Sequence, residues 1–428
     1  MRTSLLCCLV LLLLQAASAQ RLNRIIKEKT VAKIEATLAS DAMEGRATFS
    51  PGIDRAANYI AHYFKRNGIM PLDGNSHLQQ FEMIKGQLTN ATAMVGGQTL
   101  ALENLQCIST KGSITVNQDS GYKIVRINKG ENMLQIARPY LNGKQNVLIL
   151  ADTSFAPTFK QLRRFLGARF PQNNSVVVAL TPLVAAETFS FNLTQQITVQ
   201  KLANVVGVIE GKTKPNEYVV FSGHYDHLGY GKATADGDSL YNGANDDAAG
   251  TTAVMMLARY FKKMNNNART LIFAAFTAEE IGGFGSRYFS EQLKPEQVMA
   301  MFNIEMIGTD SKWGNNSAYI TGYEKTDMGK ILERNLEGTD FKFYADPYPQ
   351  QQLFYRSDNA TLARLGVPAH TISTSKMDSE KYYHTADDEF GTLNMKNMTE
   401  IIKAIALSSR SIVMGTDTPT RVDVKQLR

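Results

Sequence analysis

His224 and Asp226 stand two residues apart, just after the apolar run 218–222. On an extended strand such a pair shares one face. A metal-binding imidazole needs its second nitrogen fixed, commonly by a carboxylate, and Asp226 is placed to do this for His224. His227 would point to the other face if the strand continued, so it reads as structural. Asn245, Asp246 and Asp247 follow a glycine loop and precede a helical pattern. One carboxylate there can cap the helix. A second exceeds that need, and one of the two can instead bridge two cations.

Glu279 and Glu280 follow the apolar run 271–276. Adjacent side chains at a strand end diverge. One can ligate a cation while the other takes a proton from water, the division of labour that metal-assisted hydrolysis requires. A solvated acidic pair opening the next helix is the alternative. Glu305 sits inside the apolar run 301–307, where an unpaired carboxylate is costly; a metal or an interior salt bridge would relieve it. His384 lies in the polar loop 382–388, whose Thr385 and two aspartates can cap the last helical region. His370 reads as a packed core histidine and His62 as an exposed one. Two imidazoles and three carboxylates at strand ends, helix starts and following loops form a set suited to two zinc ions with one carboxylate shared.

The elements that position these residues begin near Asn204. Apolar strands at 205–209, 218–222, 271–276, 301–307 and 367–372 alternate with helices from Asp246 or Asp247 to Met264, and at 285–293, 328–337, 358–365 and 396–413. That pattern predicts an α/β fold, a mostly parallel sheet with helices on both faces, whose chemistry gathers at the carboxyl ends of the strands. The loop 229–243 would form a rim of the cleft. Upstream, the periodicity predicts helices over 23–40 and from an Asp54 cap to Gly68. Residues from about 80 to 200 are rich in β-prone runs, Gly and Asn. Strands at 146–150 and 176–180 flank a basic amphipathic helix at 159–170, which points to an inserted smaller α/β lobe over 96–199. The catalytic domain would then be 20–95 with 200–415, followed by a tail at 416–428.

The 428 residues are 43% hydrophobic and 20% charged, values of a globular chain. The net charge of +6 comes without a basic run of five or more and without a Lys/Arg stripe interleaved with aromatics, so it reads as solvated surface and gives no nucleic-acid partner. Arg2, the apolar stretch 5–14 and Ala17-Ser18-Ala19 predict a secretory signal peptide at 1–19, cleaved before Gln20. It is too short to span a membrane stably. A secreted or periplasmic location follows. Its removal leaves Cys107 as the one cysteine, hence no internal disulfide.

The segments SGHYDHLG, NGANDDAAGT, FAAFTAEEIGGFGSRYF, FNIEMIG, YRSDNATLARLGVPA and YYHTADD, preceded by MEGRATFSPG and LANVVGVIEG, resemble the zinc-dependent aminopeptidases of metallopeptidase clan MH. That clan also holds glutamate carboxypeptidase and glutaminyl cyclase. The resemblance covers roughly residues 40–80 and 200–410. It implies a three-layer zinc-peptidase fold acting on peptides, with the insert where some relatives carry a protease-associated domain. It implies that Asp246 bridges two zinc ions, leaving Asp247 structural, with His224 and Glu305 completing one site and Glu280 and His384 the other. Glu279 would be the general base, Tyr383 would polarise the scissile carbonyl, Asp226 would orient His224, and Asp358 would shape the site. Glu305 stands where the family usually has Asp, one methylene shorter, at a position that helps to place the substrate's N-terminus. Glutaminyl cyclase chemistry with one zinc, a carboxypeptidase and a non-catalytic peptide-binding module are the competing functions.

Overall fold

In the computed structural model, which describes residues 20–427, the chain divides into two compact units: residues before Phe81 together with those after Leu202, and Phe81–Leu202 between them. The expected signal peptide lies outside the described residues. No helix among the described residues is long and apolar enough to cross a membrane.

The first unit is built on a mixed sheet. Lys214–His224 lies at its centre, paired in parallel with Arg269–Phe276 on one side and Val298–Ile304 on the other. Ala369–Ser373 continues the parallel set beside Val298–Ile304. Both flanks are antiparallel: the end of Phe189–Ile209 beside Arg269–Phe276, and Ser317–Ile320 beside Ala369–Ser373. The central strands are apolar nearly throughout because both faces are covered. Val219 and Phe221 face the larger core with the helices Glu28–Leu38, Ala249–Met264 and Met395–Ser408. Val220 faces the other core, with Phe289 and Leu362, as a side-chain period of two demands. Phe221 is stacked between Phe302 and Phe273, at 4.9 and 5.5 Å between ring centres.

Several boundaries differ from the sequence reading. Val298–Ile304 ends one residue before Glu305, so that carboxylate stands at the strand's carboxyl end and not inside it. The first of the N-terminal helices is interrupted at Ile26 and Lys27 and resumes as Glu28–Leu38. Pro51–Arg66 is capped by Ser50, whose hydroxyl accepts from the Ile53 N–H at 3.4 Å. Asp54 falls in the first turn, where its charge complements the helix dipole. The long helix begins at Ala249, because the backbones of Asp246 and Asp247 are not helical. Gly250 in its first turn must lack a side chain: a Cβ there would lie 2.0 Å from the Ile304 carbonyl oxygen.

The second unit holds a four-stranded sheet, Leu105–Ile108, Val176–Leu180, Val147–Ala151 and Lys123–Ile127 in spatial order. Apolar clusters cover both of its faces. The basic helix expected at 159–170 is instead a short turn, Ala156–Phe159, running into the 3₁₀ turn Lys160–Phe165. Pro157 fixes the start of that turn ahead of Phe159. Cys107 is buried and free, and burial pushes its thiol up to about 12.

His370 is a core histidine, as read. Its Nδ1 lies 2.8 Å from the Thr321 carbonyl and its Nε2 2.7 Å from the Thr326 hydroxyl. Burial pushes its pKa down from 6.5 to about 4. A depressed folded-state value means that the unfolded chain binds the proton first. The stabilisation is therefore complete above pH 6.5 and lost as pH falls toward 4, by roughly 3 kcal/mol. Denaturant unfolding between pH 7 and 4 should show a shallower pH dependence in His370→Gln than in the unsubstituted chain; equal slopes would show that His370 does not titrate on unfolding.

Candidate metal centre

The centre forms where the carboxyl ends of three strands, Lys214–His224, Arg269–Phe276 and Val298–Ile304, meet the loops that carry Asp246 and His384. The strand Lys214–His224 stops at His224, whose Nε2 lies 3.2 Å from Asp246 Oδ1. The ring's other nitrogen lies 3.1 Å from the backbone carbonyl of Asp226 and 3.7 Å from its carboxylate. The orienting group is thus chiefly the Asp226 main chain. The Asp226 carboxylate instead accepts the N–H groups of Glu279 and Glu280, at 3.0 and 3.2 Å. One buried aspartate thereby ties the His224 turn to the glutamate pair.

Asp246 has two sides. Its Oδ1 faces His224, and its Oδ2 lies 3.2 Å from Nε2 of His384. His384 Nε2 is also 3.1 Å from Glu280 Oε2. Ligand atoms of His224, Asp246 and Glu305 lie within 4.8 Å of one another, and so do those of His227, Asp246 and Glu280. The geometry therefore brings together His224, Asp246, Glu280, Glu305 and His384, with Asp246 common to two groups.

His227 corrects the sequence reading. It is fully buried, and its Nδ1 lies 2.8 Å from Glu280 Oε1 and 3.9 Å from Asp246 Oδ2. Strand alternation does not carry it to the far face because the strand has ended. Its own N–H bonds to the Arg46 carbonyl, which turns the chain inward. Asp247 is structural, as read: its carboxylate accepts the N–H groups of His224, Gly250 and Met306 at 3.0–3.1 Å. Asp388 does not cap the last helix, which Asn394 caps. It accepts the N–H groups of Asn245 and Asp246 at 2.8 and 3.0 Å and so fixes the shared carboxylate.

Arg46 was also not legible as a site residue. Its guanidinium is fully buried and donates to the carbonyls of Leu38, Tyr225, Asn242 and Gly243 at 2.6–2.8 Å. Those of Tyr225, Asn242 and Gly243 flank the turns that carry His224, His227 and Asp246. Tyr383 stacks on His384 with ring centres 3.9 Å apart. Asp358 is buried with both carboxylate oxygens unpartnered, and burial pushes it up to about 6. The Gly229–Tyr230 and Leu240–Tyr241 segments pair as a small antiparallel ribbon within the expected rim loop.

The electrostatics describe a place for cations. Burial pushes the Glu305 carboxyl up to about 7 and leaves its Oε2 without a partner. Burial raises Glu279 well above the carboxylate range, with Glu305 and Asp358 adding to the effect. Hydrogen bonds to Asp246 and Glu280 push His384 up to about 10. Burial opposes the charge on Asp246, yet bonds to His224 and His384 hold its carboxyl below the usual range. With so many acids in one buried site, positive charge must come from protons or metal ions. The donors are imidazole nitrogens and carboxylate oxygens, and the buried Nε2 atom of His227 lacks a hydrogen-bond partner. This set fits zinc.

Residues 204–408 match the model of peptidase family M28. The resemblance read from the motifs stands on that match. The M28 segment contains every candidate ligand. Among curated proteins, the chain is 36% identical over 115 residues to a probable zinc metalloprotease of Leptosphaeria maculans, covering 26% of each. It is 26% identical over 179 residues to a glutamate carboxypeptidase 2 homolog of Caenorhabditis elegans, covering 39% of this chain and 21% of that protein. The chain thus spans about a quarter of the length of the curated relatives it matches. The fold is similar to that of an aminopeptidase from Aneurinibacillus sp. strain AM-1, with TM-score 0.54, 16% identity and 95% and 98% of the two chains covered. A zinc aminopeptidase from Bacillus subtilis gives TM-score 0.54 at 18% identity, covering 92% and 97%.

His227→Ala removes the imidazole that holds Glu280. Competition with a chromophoric chelator should show one zinc bound roughly 10–100-fold more weakly. Unchanged affinity would show that Glu280 is held without it.

Proposed function

We propose that the chain is an exported zinc-dependent aminopeptidase that hydrolyses the N-terminal peptide bond of peptides at a centre holding two zinc ions. The observation that carries this reading is the position of Asp246 between two groups of ligand atoms. His224, Asp246 and Glu305 would hold one ion; Asp246, Glu280 and His384, with His227 beside them, would hold the other. Zinc bound there would polarise the scissile carbonyl and make a water more acidic.

Glu279 accepts the proton of the attacking water and passes it to the departing amine. Its backbone is pinned by Asp226, while its carboxyl is raised by burial. A raised pKa suits a base that must also release its proton near neutral pH. Tyr383 is held against His384, and burial keeps its phenol protonated, so it is able to donate to the carbonyl oxygen. Asp358 and the Asp226 and Asp388 carboxylates keep the ligand-bearing turns in place or shape their surroundings. The signal-like N-terminus supports export.

Glu279→Gln preserves shape and removes the base. It should retain zinc in atomic-emission analysis and lose roughly 10²–10⁴-fold in kcat on aminoacyl amides. Full activity in the variant would exclude Glu279 as the base.

A further inference from the structure

A cavity of about 50 Å³ opens beside the centre, with Glu305 and Tyr383 on its wall. At ~10–15 Å³ per water-sized group, it takes roughly four such groups, the size of a methylene and a carboxylate. Its lining is mixed: Thr321, Thr371 and Ser373 stand beside Met306, Leu353 and Met377. These hydroxyl groups are already engaged. Thr371 donates to Asn359 Oδ1 at 2.9 Å, Ser373 to the Met306 carbonyl at 3.3 Å, and Thr321 Oγ1 accepts the Thr371 N–H at 3.2 Å.

Arg356 differs. It lines the same cavity but is exposed, and its Nη1 donates to the neutral Gln351 Oε1 at 3.2 Å. It forms no ion pair among the described residues. Tyr383 and Glu305 line the cavity with it. A guanidinium with free N–H groups presents a planar fork that matches a carboxylate. An apolar side chain set against Arg356 would desolvate its free N–H groups without replacing their hydrogen bonds to water.

We propose that Arg356 and this cavity form a carboxylate-binding subsite for the substrate. The proposal rests on the peptidase reading above. The carboxylate has two possible sources, the side chain of an N-terminal Asp or Glu and the α-carboxylate at the end of a short peptide.

The test uses the zinc-loaded full chain on fluorogenic amides of Asp, Glu, Ala, Leu and Lys, and on Ala-Ala beside its C-terminal amide. One source of carboxylate should give at least a tenfold advantage in kcat/KM, either Asp and Glu over Leu and Ala or the free dipeptide over its amide. Arg356→Met should remove that advantage mainly through KM, and Arg356→Glu should reverse it, favouring Lys or the dipeptide amide. Cleavage without any carboxylate advantage, or an advantage that survives in Arg356→Met, would show Arg356 to be a solvated surface residue and overturn the subsite alone. Failure to cleave every substrate would overturn the peptidase reading along with it.

Discussion

A carboxylate removed from water keeps its charge only if positive partners surround it, and Asp246, at 2% exposure, meets imidazoles on both of its oxygens. Much of the surrounding structure serves to hold that one side chain. Asp388 takes its backbone N–H and that of Asn245. Asp247 ties the next residue to the ends of two strands. Arg46 gathers the carbonyls just before it. Each support is a charged group bonded to main chain, which orients a loop more firmly than neutral contacts do.

The same arrangement explains why so many acids are tolerated in one buried place. Asp226, Asp247 and Asp388 each accept two or more backbone N–H groups, which offsets part of the cost of burying them. Glu305 Oε2 and both oxygens of Asp358 are not answered in this way, and burial pushes all five carboxyls up. The unanswered acids lie where ions would sit or where substrate would enter. The supporting acids lie behind them.

Much of this was legible in the sequence because ligand-type residues at the ends of apolar runs stand out against their surroundings. His224, Glu305 and the Glu279–Glu280 pair stand out in this way; the choice of Asp246 over Asp247 and of Glu280 over Glu279 as ligands, and the weight given to His384 in its polar loop, came from the motif resemblance, and the doubly covered sheet followed from the unbroken apolar strands. His227 was missed because alternation was carried past the strand's end, and the turn depends on a carbonyl of Arg46, far away in sequence. Arg46 left no signal because its partners are backbone carbonyls, which every residue possesses. Asp388 looked like a helix cap because local spacing cannot show that its partners lie at residues 245 and 246. The antiparallel flanks of the sheet escaped notice for a similar reason: strand direction is set by connections and not by composition.

The proposed sharing of Asp246 by two zinc ions is open to direct measurement by diffraction from zinc-loaded crystals on both sides of the zinc absorption edge. Two anomalous peaks about 3.5–4 Å apart are expected, each next to one oxygen of Asp246, one beside His224 and Glu305 and the other beside Glu280 and His384. A single peak, or a pair of peaks that Asp246 does not join, would contradict it.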